Sequence, residues 1–203
     1  MVSDPQYADF IAWKAAQSAP PSGPIKLDLG CGNSTRRAIT GMTKDKGWTG
    51  VDLPGGEGAD VYCDLGVEKW PWPDSSVDEV NCAHMLEHVP ALKRIHFMNE
   101  LYRVLKPGGK AMITTPHWAS CRAYGDVTHE WPPVSEMFWQ YLGKAWREQN
   151  APHLPFVCDF NAGYGYILAG WLAGRSQEYI NAAIQQWKEA AQDMQATLTA
   201  VKP

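Results

Sequence analysis

The residues best suited to chemistry form a glycine turn near the N-terminus. Asp28, Gly30 and Gly32 stand in the stretch Asp-Leu-Gly-Cys-Gly, directly after an apolar run. Glycine at two positions lets the backbone turn tightly and approach a ligand with no Cβ in the way. A complete dinucleotide fingerprint would have a third glycine at position 35, where this chain has Thr35. The turn alone therefore indicates no particular ligand.

Two further acids follow the next predicted strands in register. Asp52 ends the second strand, where a carboxylate of a doubly wound fold accepts hydrogen bonds from ribose hydroxyls. Asp64 follows the third strand, within reach of an adenine edge. Asp28 lies inside the end of the first strand, where its charge would repel a pyrophosphate but attract an ammonium or sulfonium group. The set favours S-adenosylmethionine over NAD.

Alternating strands and helices must position these residues. We predict strands at 25–29, 48–53, 60–63, 77–82 and 109–115, with helices at 34–40 and 91–105. Strands separated by helices indicate parallel βαβ units in an open α/β sheet. After an irregular segment we predict a helix over 134–147, a strand near 156–160, a helix over 177–192 and a strand over 194–201.

Five ordered motifs resemble those of class I S-adenosylmethionine-dependent methyltransferases, in particular the short "type 11" members. The resemblance covers residues 25–118 and implies one domain over 1–203 with a doubly wound, Rossmann-like fold. Its sheet is expected to be mostly parallel and seven-stranded, with helices on both faces. The motifs are Leu27–Gly32, Val51–Asp52, Asp64–Leu65, Val77–Val80 with His84–His88, and Leu101–Gly109.

The resemblance also implies which residues hold S-adenosylmethionine. The methionyl end is expected against the glycine turn, the ribose against Asp52, the adenine against Asp64 and the sulfonium against His84. Asn33 departs from the pattern, since many relatives have glycine there, and we expect it only to narrow the tolerance of the turn. The implied cofactor-binding residues are Asp28, Gly30, Cys31, Gly32, Asp52, Leu53, Asp64, Leu65, Ala83 and His84.

Two other spacings point to different chemistry. His84-x-x-Glu87-His88 has the spacing of a metalloprotease zinc motif. The resemblance explains its place after the fourth strand, so we expect no metal. Tyr102-x-x-x-Lys106 mimics the pair of short-chain dehydrogenases, but Lys106 is expected at a helix C-terminus, where it meets the dipole. An NAD-dependent oxidoreductase is therefore the less favoured alternative, and a non-catalytic S-adenosylmethionine-binding module stays open.

Candidates for a general base lie in the irregular segment that follows the fifth strand. Methyl transfer from a sulfonium is an in-line displacement, and it needs a base only if the acceptor has a proton to lose. We rank His129 and His117 first, with a structural role open for each. The base N-methyltransferase signature is absent after the fourth strand, where Asn81-Cys-Ala-His84 stands. With a net charge of -4, this disfavours a nucleic acid and favours a small polar or aromatic acceptor.

Composition and the N-terminal segment give the remaining expectations, on compartment and on domain organisation. Five cysteines without a CxxC pair indicate reduced thiols in a cytoplasmic protein, and neither a membrane span nor a signal peptide is expected. Residues 1–24 are expected to form a helix and linker, and the helix, with Tyr7, Phe10 and Trp13, could fold over the cofactor as a lid. Residues 25–118 form the cofactor-binding half and 119–203 the substrate-side half. The oligomeric state is open.

Overall fold

A seven-stranded sheet organises the chain in a computed structural model that describes residues 23–203. The predicted N-terminal helix and its role as a lid lie outside the described residues. The strand order is β3-β2-β1-β4-β5-β7-β6, with β1 to β5 parallel and β7 antiparallel to β5 and β6. The strands are β1 Lys26–Leu29, β2 Trp48–Asp52, β3 Val61–Tyr62, β4 Val77–Ala83, β5 Leu105–Pro116, β6 Phe160–Leu168 and β7 Ala191–Ala200.

Six α-helices connect or follow these strands in the described part of the chain. Short 3-10 turns lie at Lys44–Lys46, Leu86–His88 and Gly170–Leu172. The predicted mostly parallel, seven-stranded α/β sheet is confirmed. The helices are α1 Ser34–Thr40, α2 Lys93–Val104, α3 Arg122–Gly125, α4 Glu136–Gln140, α5 Lys144–Asn150 and α6 Gln177–Gln186.

Helix α2 begins two residues later than predicted and packs through one buried face. Leu92 precedes the helix, and its side chain is 82% exposed. The buried positions follow the i, i+3, i+4 spacing from Arg94 to Val104. Phe97 is fully buried and meets Trp70 edge to face, with ring centroids 5.2 Å apart. The helix is thus anchored by its aromatic contact rather than by its first leucine.

The C-terminal half departs most from prediction. The helix predicted over 134–147 is broken into α4 and α5, because the chain turns at 141–143 and α5 begins after Gly143. The strand predicted near 156–160 begins only at Phe160 and continues to Leu168. Glycines at 163 and 165 weaken its sequence signal, and pairing with β7 supplies the stability that local propensity lacks. Helix α6 ends at Gln186, six residues earlier than predicted.

We predict that truncation of two leucines in the α2 region changes stability by very different amounts. Leu101→Ala removes a fully buried side chain and is expected to lower the free energy of unfolding by about 2–5 kcal/mol. Leu92→Ala, on the exposed side, is the matched control and should change it by about 0.5 kcal/mol or less. Urea unfolding followed by circular dichroism measures both. Equal losses would show that α2 does not pack through the face described.

Candidate active site

The glycine turn joins β1 to α1 and needs glycine for two reasons. Gly30 and Gly32 both have φ of +66°, a conformation that residues with a side chain rarely adopt. A Cβ at Gly30 would lie 2.4 Å from Met85 Cγ. The Gly30 and Cys31 N–H groups donate to the Val51 carbonyl at 2.8 and 3.1 Å. The turn therefore folds back over the end of β2.

The Asp52 carboxylate holds this turn in place. Oδ2 accepts a hydrogen bond from the Gly32 N–H at 2.7 Å, and Oδ1 accepts one from the Leu53 N–H at 2.8 Å. Each carboxylate oxygen has a second lone pair for another donor. Asp52 is half-buried at the mouth of a pocket. The residue predicted to hold a ribose is thus also the clamp of the glycine turn.

Asp28 lies beneath the turn and is buried. Its Oδ1 accepts a hydrogen bond from Asn81 Nδ2 at 2.7 Å, because the parallel register places these residues opposite each other. Burial raises the pKa of Asp28, although the Asn81 hydrogen bond and the charge of Arg36 act against that rise. Burial also raises the pKa of the Cys31 thiol to about 12, so that this thiol is neutral. Neither side chain lines the pocket.

Arg36, on α1, is a site residue that sequence reasoning missed. Its guanidinium donates to the carbonyl oxygens of Gly30 and Ala83, at the ends of β1 and β4. Asn33, expected only to narrow the tolerance of the turn, caps α1 by accepting a hydrogen bond from the Arg36 N–H at 2.9 Å. That cap sets the start of the helix that carries Arg36 to the two carbonyls.

A pocket opens beside the turn at the carboxyl ends of the strands, where doubly wound folds bind ligands. It contains about 600 Å³ of space, part of it open to solvent. Five of the ten predicted cofactor residues line it: Gly30, Asp52, Leu53, Asp64 and Leu65. The sequence prediction did not include its other lining residues, which are Cys63, Gly66, Met85, His88, Val89, Pro90 and Lys93.

The predicted sulfonium-side residues, Ala83 and His84, lie at the end of β4 and do not line this pocket. His84 has φ of +54°, which is strained for a residue with a side chain. Its Nδ1 lies 3.3 Å from Glu87 Oε1, and contact with this carboxylate raises the pKa of His84. The strained residue thus stands where β4 meets the turn at Leu86–His88.

His117, predicted as a candidate base, is buried with both ring nitrogens engaged. Nδ1 accepts a hydrogen bond from the Ala119 N–H at 3.2 Å, so that Nε2 donates to Glu136 Oε1 at 3.0 Å. Glu136 also accepts hydrogen bonds from Trp118 Nε1 at 2.9 Å and Tyr166 OH at 3.1 Å. This arrangement suits a residue that holds the segment after β5 in place, and it offers no lone pair to a substrate proton.

His129, the other candidate base, keeps one nitrogen open. Its Nδ1 lies 3.2 Å from the Ala123 carbonyl, and its ring meets His88 edge to face with centroids 4.7 Å apart. His88 lines the pocket. The structure therefore brings His129, but not His117, to the side of the pocket.

The comparisons with known proteins agree with this geometry. Residues 27–113 match the family model described as "Methyltransferase domain". This span contains the glycine turn, Asp52, Asp64 and the end of β4. The match to a methyltransferase domain thus covers 87 of the 203 residues, those that form the predicted cofactor-binding half.

Individual relatives of this chain are distant. An uncharacterized methyltransferase of Mycobacterium sp. (strain KMS) is 32% identical over 117 residues, which are 52% of this chain and 44% of the relative. The chain thus spans less than half the length of the curated relatives it matches.

Solved structures show the same fold at low identity. An Archaeoglobus fulgidus protein described as a SAM-dependent methyltransferase has a TM-score of 0.61 at 18% identity, covering 96% of this chain and 94% of that one. A 16S rRNA (adenine(1408)-N(1))-methyltransferase from Catenulisporales acidiphilia has a TM-score of 0.50 at 16% identity, covering 97% and 92%. The fold is therefore shared, and it does not specify an acceptor. Among residues 23–203, no helix is long and apolar enough to cross a membrane.

We predict a specific acid dependence from Glu136. Burial raises the pKa of this carboxyl, but the hydrogen bonds from His117 and Tyr166 outweigh it and hold the pKa at about 2, against 4.5 for an unperturbed glutamate. The native state therefore gains stability from ionised Glu136 above pH 4.5 and loses it as the pH falls toward 2. Glu136→Gln should cost about 1–3 kcal/mol at pH 7 and flatten the dependence in this window.

Urea titrations between pH 3 and 7 measure this effect. Glu148→Gln is the matched control, because the Glu148 side chain is 65% exposed and pairs only loosely with Lys144. It should retain the wild-type slope. Parallel slopes for wild type and Glu136→Gln would contradict the assignment.

Proposed function

We propose that the chain binds S-adenosylmethionine in the pocket beside the glycine turn and transfers its methyl group to a small polar or aromatic acceptor. One observation carries the proposal: the Gly30 and Ala83 carbonyls converge on a cationic donor, the Arg36 guanidinium. These oxygens lie next to a pocket lined by Asp52 and Asp64. S-adenosylmethionine matches this arrangement, with its ammonium at the two carbonyls and its nucleoside at the two carboxylates.

The cofactor's ammonium would take the hydrogen bonds that Arg36 now makes. Both are cations with several N–H donors, and a carbonyl oxygen accepts from either. Arg36 is half-buried on α1, so its side chain can swing outward toward the cofactor carboxylate. Buried Asp28, beneath the turn, adds negative charge on the side where the cofactor is positive.

The nucleoside end of the pocket offers complementary groups. Asp52 keeps a lone pair on each oxygen for the ribose hydroxyls while it holds Gly32 and Leu53. Leu65 and Val89 are apolar surfaces on which an adenine ring can lie, with Asp64 at its edge. In this proposal Cys31 acts only by packing beneath the turn, because its thiol is neutral and buried.

Exposed aromatic side chains beyond β5 support a small acceptor with apolar or aromatic character. Trp118, Tyr124 and Trp131 are exposed, and the Tyr124 OH donates to the Trp118 carbonyl at 2.9 Å. His129, whose Nδ1 contacts the Ala123 carbonyl at 3.2 Å, has a second nitrogen that can take a proton or bind a polar group. In this proposal His117 has a structural role, because it donates a hydrogen bond to Glu136. The net charge of -4 disfavours a nucleic acid acceptor.

We predict that S-adenosylhomocysteine binds and that Asp52 carries part of the affinity. Asp52→Asn keeps one acceptor oxygen for the turn but removes the charge, which should cost about 1.5–3 kcal/mol, or about 10- to 150-fold in Kd. Isothermal titration calorimetry measures the change. Glu57→Gln, an exposed carboxylate five residues away, is the matched control and should bind as wild type does.

Thermal unfolding beside NAD and NADH separates the alternatives. Ligand at about a hundred times its Kd should stabilise the fold by about 2.7 kcal/mol. Stabilisation by NAD in place of S-adenosylhomocysteine would refute the cofactor assignment and indicate an oxidoreductase. Binding of S-adenosylhomocysteine with no methyl transfer to any small acceptor would favour a non-catalytic binding module.

A further inference from the structure

Glu87 is a buried carboxylate that receives no hydrogen bond from the described residues. Its side chain is 6% exposed, and both Oε1 and Oε2 lack a hydrogen-bond partner. A buried acceptor left unpaired costs about 1–3 kcal/mol, and a charged one costs more. His84 Nδ1 lies 3.3 Å from Oε1, so Oε2 is the oxygen left without a partner among residues 23–203.

The nearest guanidinium does not fill this role. Arg94 donates to the backbone carbonyls of Val89, Pro132 and Glu130 at 2.6–3.0 Å, and to that of Glu87 at 3.5 Å. None of these bonds reaches the Glu87 carboxylate. Together with the bond from the Glu130 N–H to the Glu87 carbonyl at 2.8 Å, Arg94 instead fastens the segment after α3 onto the turn at Leu86–His88.

This fastening brings two histidines to the carboxylate. One oxygen of Glu87 and one ring nitrogen each of His88 and His129 all lie within 4.8 Å of one another. Two ligands at a tetrahedral angle around one Zn²⁺ lie about 3.3–3.6 Å apart, since metal–ligand bonds are about 2.0–2.2 Å. The three side chains would therefore have to close by about 1 Å to surround one ion.

Hydrogen bonds fix both rings with a lone pair available for a metal. The Thr128 hydroxyl donates to Asp126 Oδ1 at 2.7 Å, so its oxygen accepts from His88 Nδ1 at 3.0 Å. His129 Nδ1 donates to the Ala123 carbonyl at 3.2 Å. In the neutral tautomer that fits these bonds the lone pair lies on Nε2, and neither Nε2 makes a hydrogen bond within residues 23–203. Metal-binding histidines are typically supported in this way, with the second nitrogen on a carbonyl or carboxylate relay.

We propose that Glu87, His88 and His129 bind a divalent transition-metal ion at the edge of the cofactor pocket. Two imidazoles and one carboxylate are the donors that Zn²⁺ and its first-row neighbours prefer, whereas Mg²⁺ prefers oxygen ligands. Three protein ligands leave at least one coordination position open, as catalytic sites do. This proposal departs from the sequence-based expectation of no metal. In it His129 is a metal ligand and not a general base.

The position of the ion indicates its role in methyl transfer, and this inference rests on the proposed function. His88 lines the cofactor pocket, and His129 contacts the Ala123 carbonyl in the segment that carries the exposed Tyr124, so the ion would lie between the cofactor pocket and the proposed acceptor side. A metal ion there would bind an acceptor hydroxyl oxygen and lower the pKa of that hydroxyl, so that its proton leaves to solvent before the oxygen is methylated. The acceptor class is therefore one that carries a hydroxyl oxygen able to bind a metal.

His84 offers the competing explanation for Glu87. Its Nδ1 lies 3.3 Å from Glu87 Oε1, so a protonated His84 alone could balance the buried charge. The two explanations differ in what Glu87→Gln does. If His84 is the sole partner of Glu87, Glu87→Gln changes the free energy of unfolding by the same amount with and without metal. With a metal site, the ion stabilises the wild type and not the variant.

The test is a Zn²⁺ titration of the chelator-treated chain without a histidine tag, by calorimetry and by metal content after equilibrium dialysis. We expect one equivalent of Zn²⁺ and weaker binding of Mg²⁺. Glu87→Gln and His129→Ala should each weaken Zn²⁺ binding at least about tenfold, and Thr128→Val, which removes the support of His88, about 10- to 100-fold. His153→Ala, an exposed histidine, is the matched control and should bind as wild type does.

Thermal unfolding of each variant without metal shows that it is folded, and Zn²⁺ should raise the Tm of wild type but not of Glu87→Gln. The proposal is overturned if wild type takes up no Zn²⁺ beyond Glu87→Gln, or if His153→Ala loses as much affinity as His129→Ala. S-adenosylhomocysteine binding is measured on the same chelator-treated chain. If the chain binds S-adenosylhomocysteine but takes up no metal, only the metal site is refuted. If it takes up metal but does not bind S-adenosylhomocysteine, the proposed cofactor is refuted instead.

Discussion

The parallel pairing of β1 with β2 and β4 is the constraint on which the candidate site depends. Backbone groups of a buried strand must find partners, so the register of β1 is fixed on both sides. Parallel direction then puts the carboxyl ends of all three strands at one edge. Asp52 reaches the glycine turn from β2, and the Ala83 carbonyl reaches Arg36 from β4. This register therefore explains both the hydrogen bond by which Asp52 holds the turn and the meeting of the Gly30 and Ala83 carbonyls at Arg36.

Several groups at this edge are left in states that folding alone would not favour. Gly30 and Gly32 hold left-handed conformations, His84 does so with a side chain, and Glu87 is a buried carboxylate with no hydrogen bond among the described residues. Strain and unsatisfied polarity concentrate where a protein binds or reacts. The proposed metal ion would offset the local cost at Glu87, and the proposed cofactor would bind the carbonyls that Arg36 now occupies.

The two halves of the chain differed in how well their elements could be predicted. In the first half, apolar strands bounded by turns give strong local signals, and α1 was predicted residue for residue over Ser34–Thr40. In the second half β6 contains Gly163 and Gly165, and its stability comes from pairing with β7, thirty residues away. Local propensity could not predict a strand whose partner supplies its hydrogen bonds. The same holds for α4 and α5, which the turn at 141–143 separates.

The sequence by itself determined the fold class, the glycine turn and the acids that follow β2 and β3, because each depends on local periodicity or on spacing within one strand–turn unit. It also showed His84, Glu87 and His88 as a local group. Only the tertiary structure decided that Arg36 meets Ala83, that His117 is held by Glu136, and that His129 joins Glu87 and His88. Those contacts join residues 19 to 47 positions apart. Their geometry depends on how segments dock, through bonds such as those of Arg94, and no spacing in the sequence encodes it.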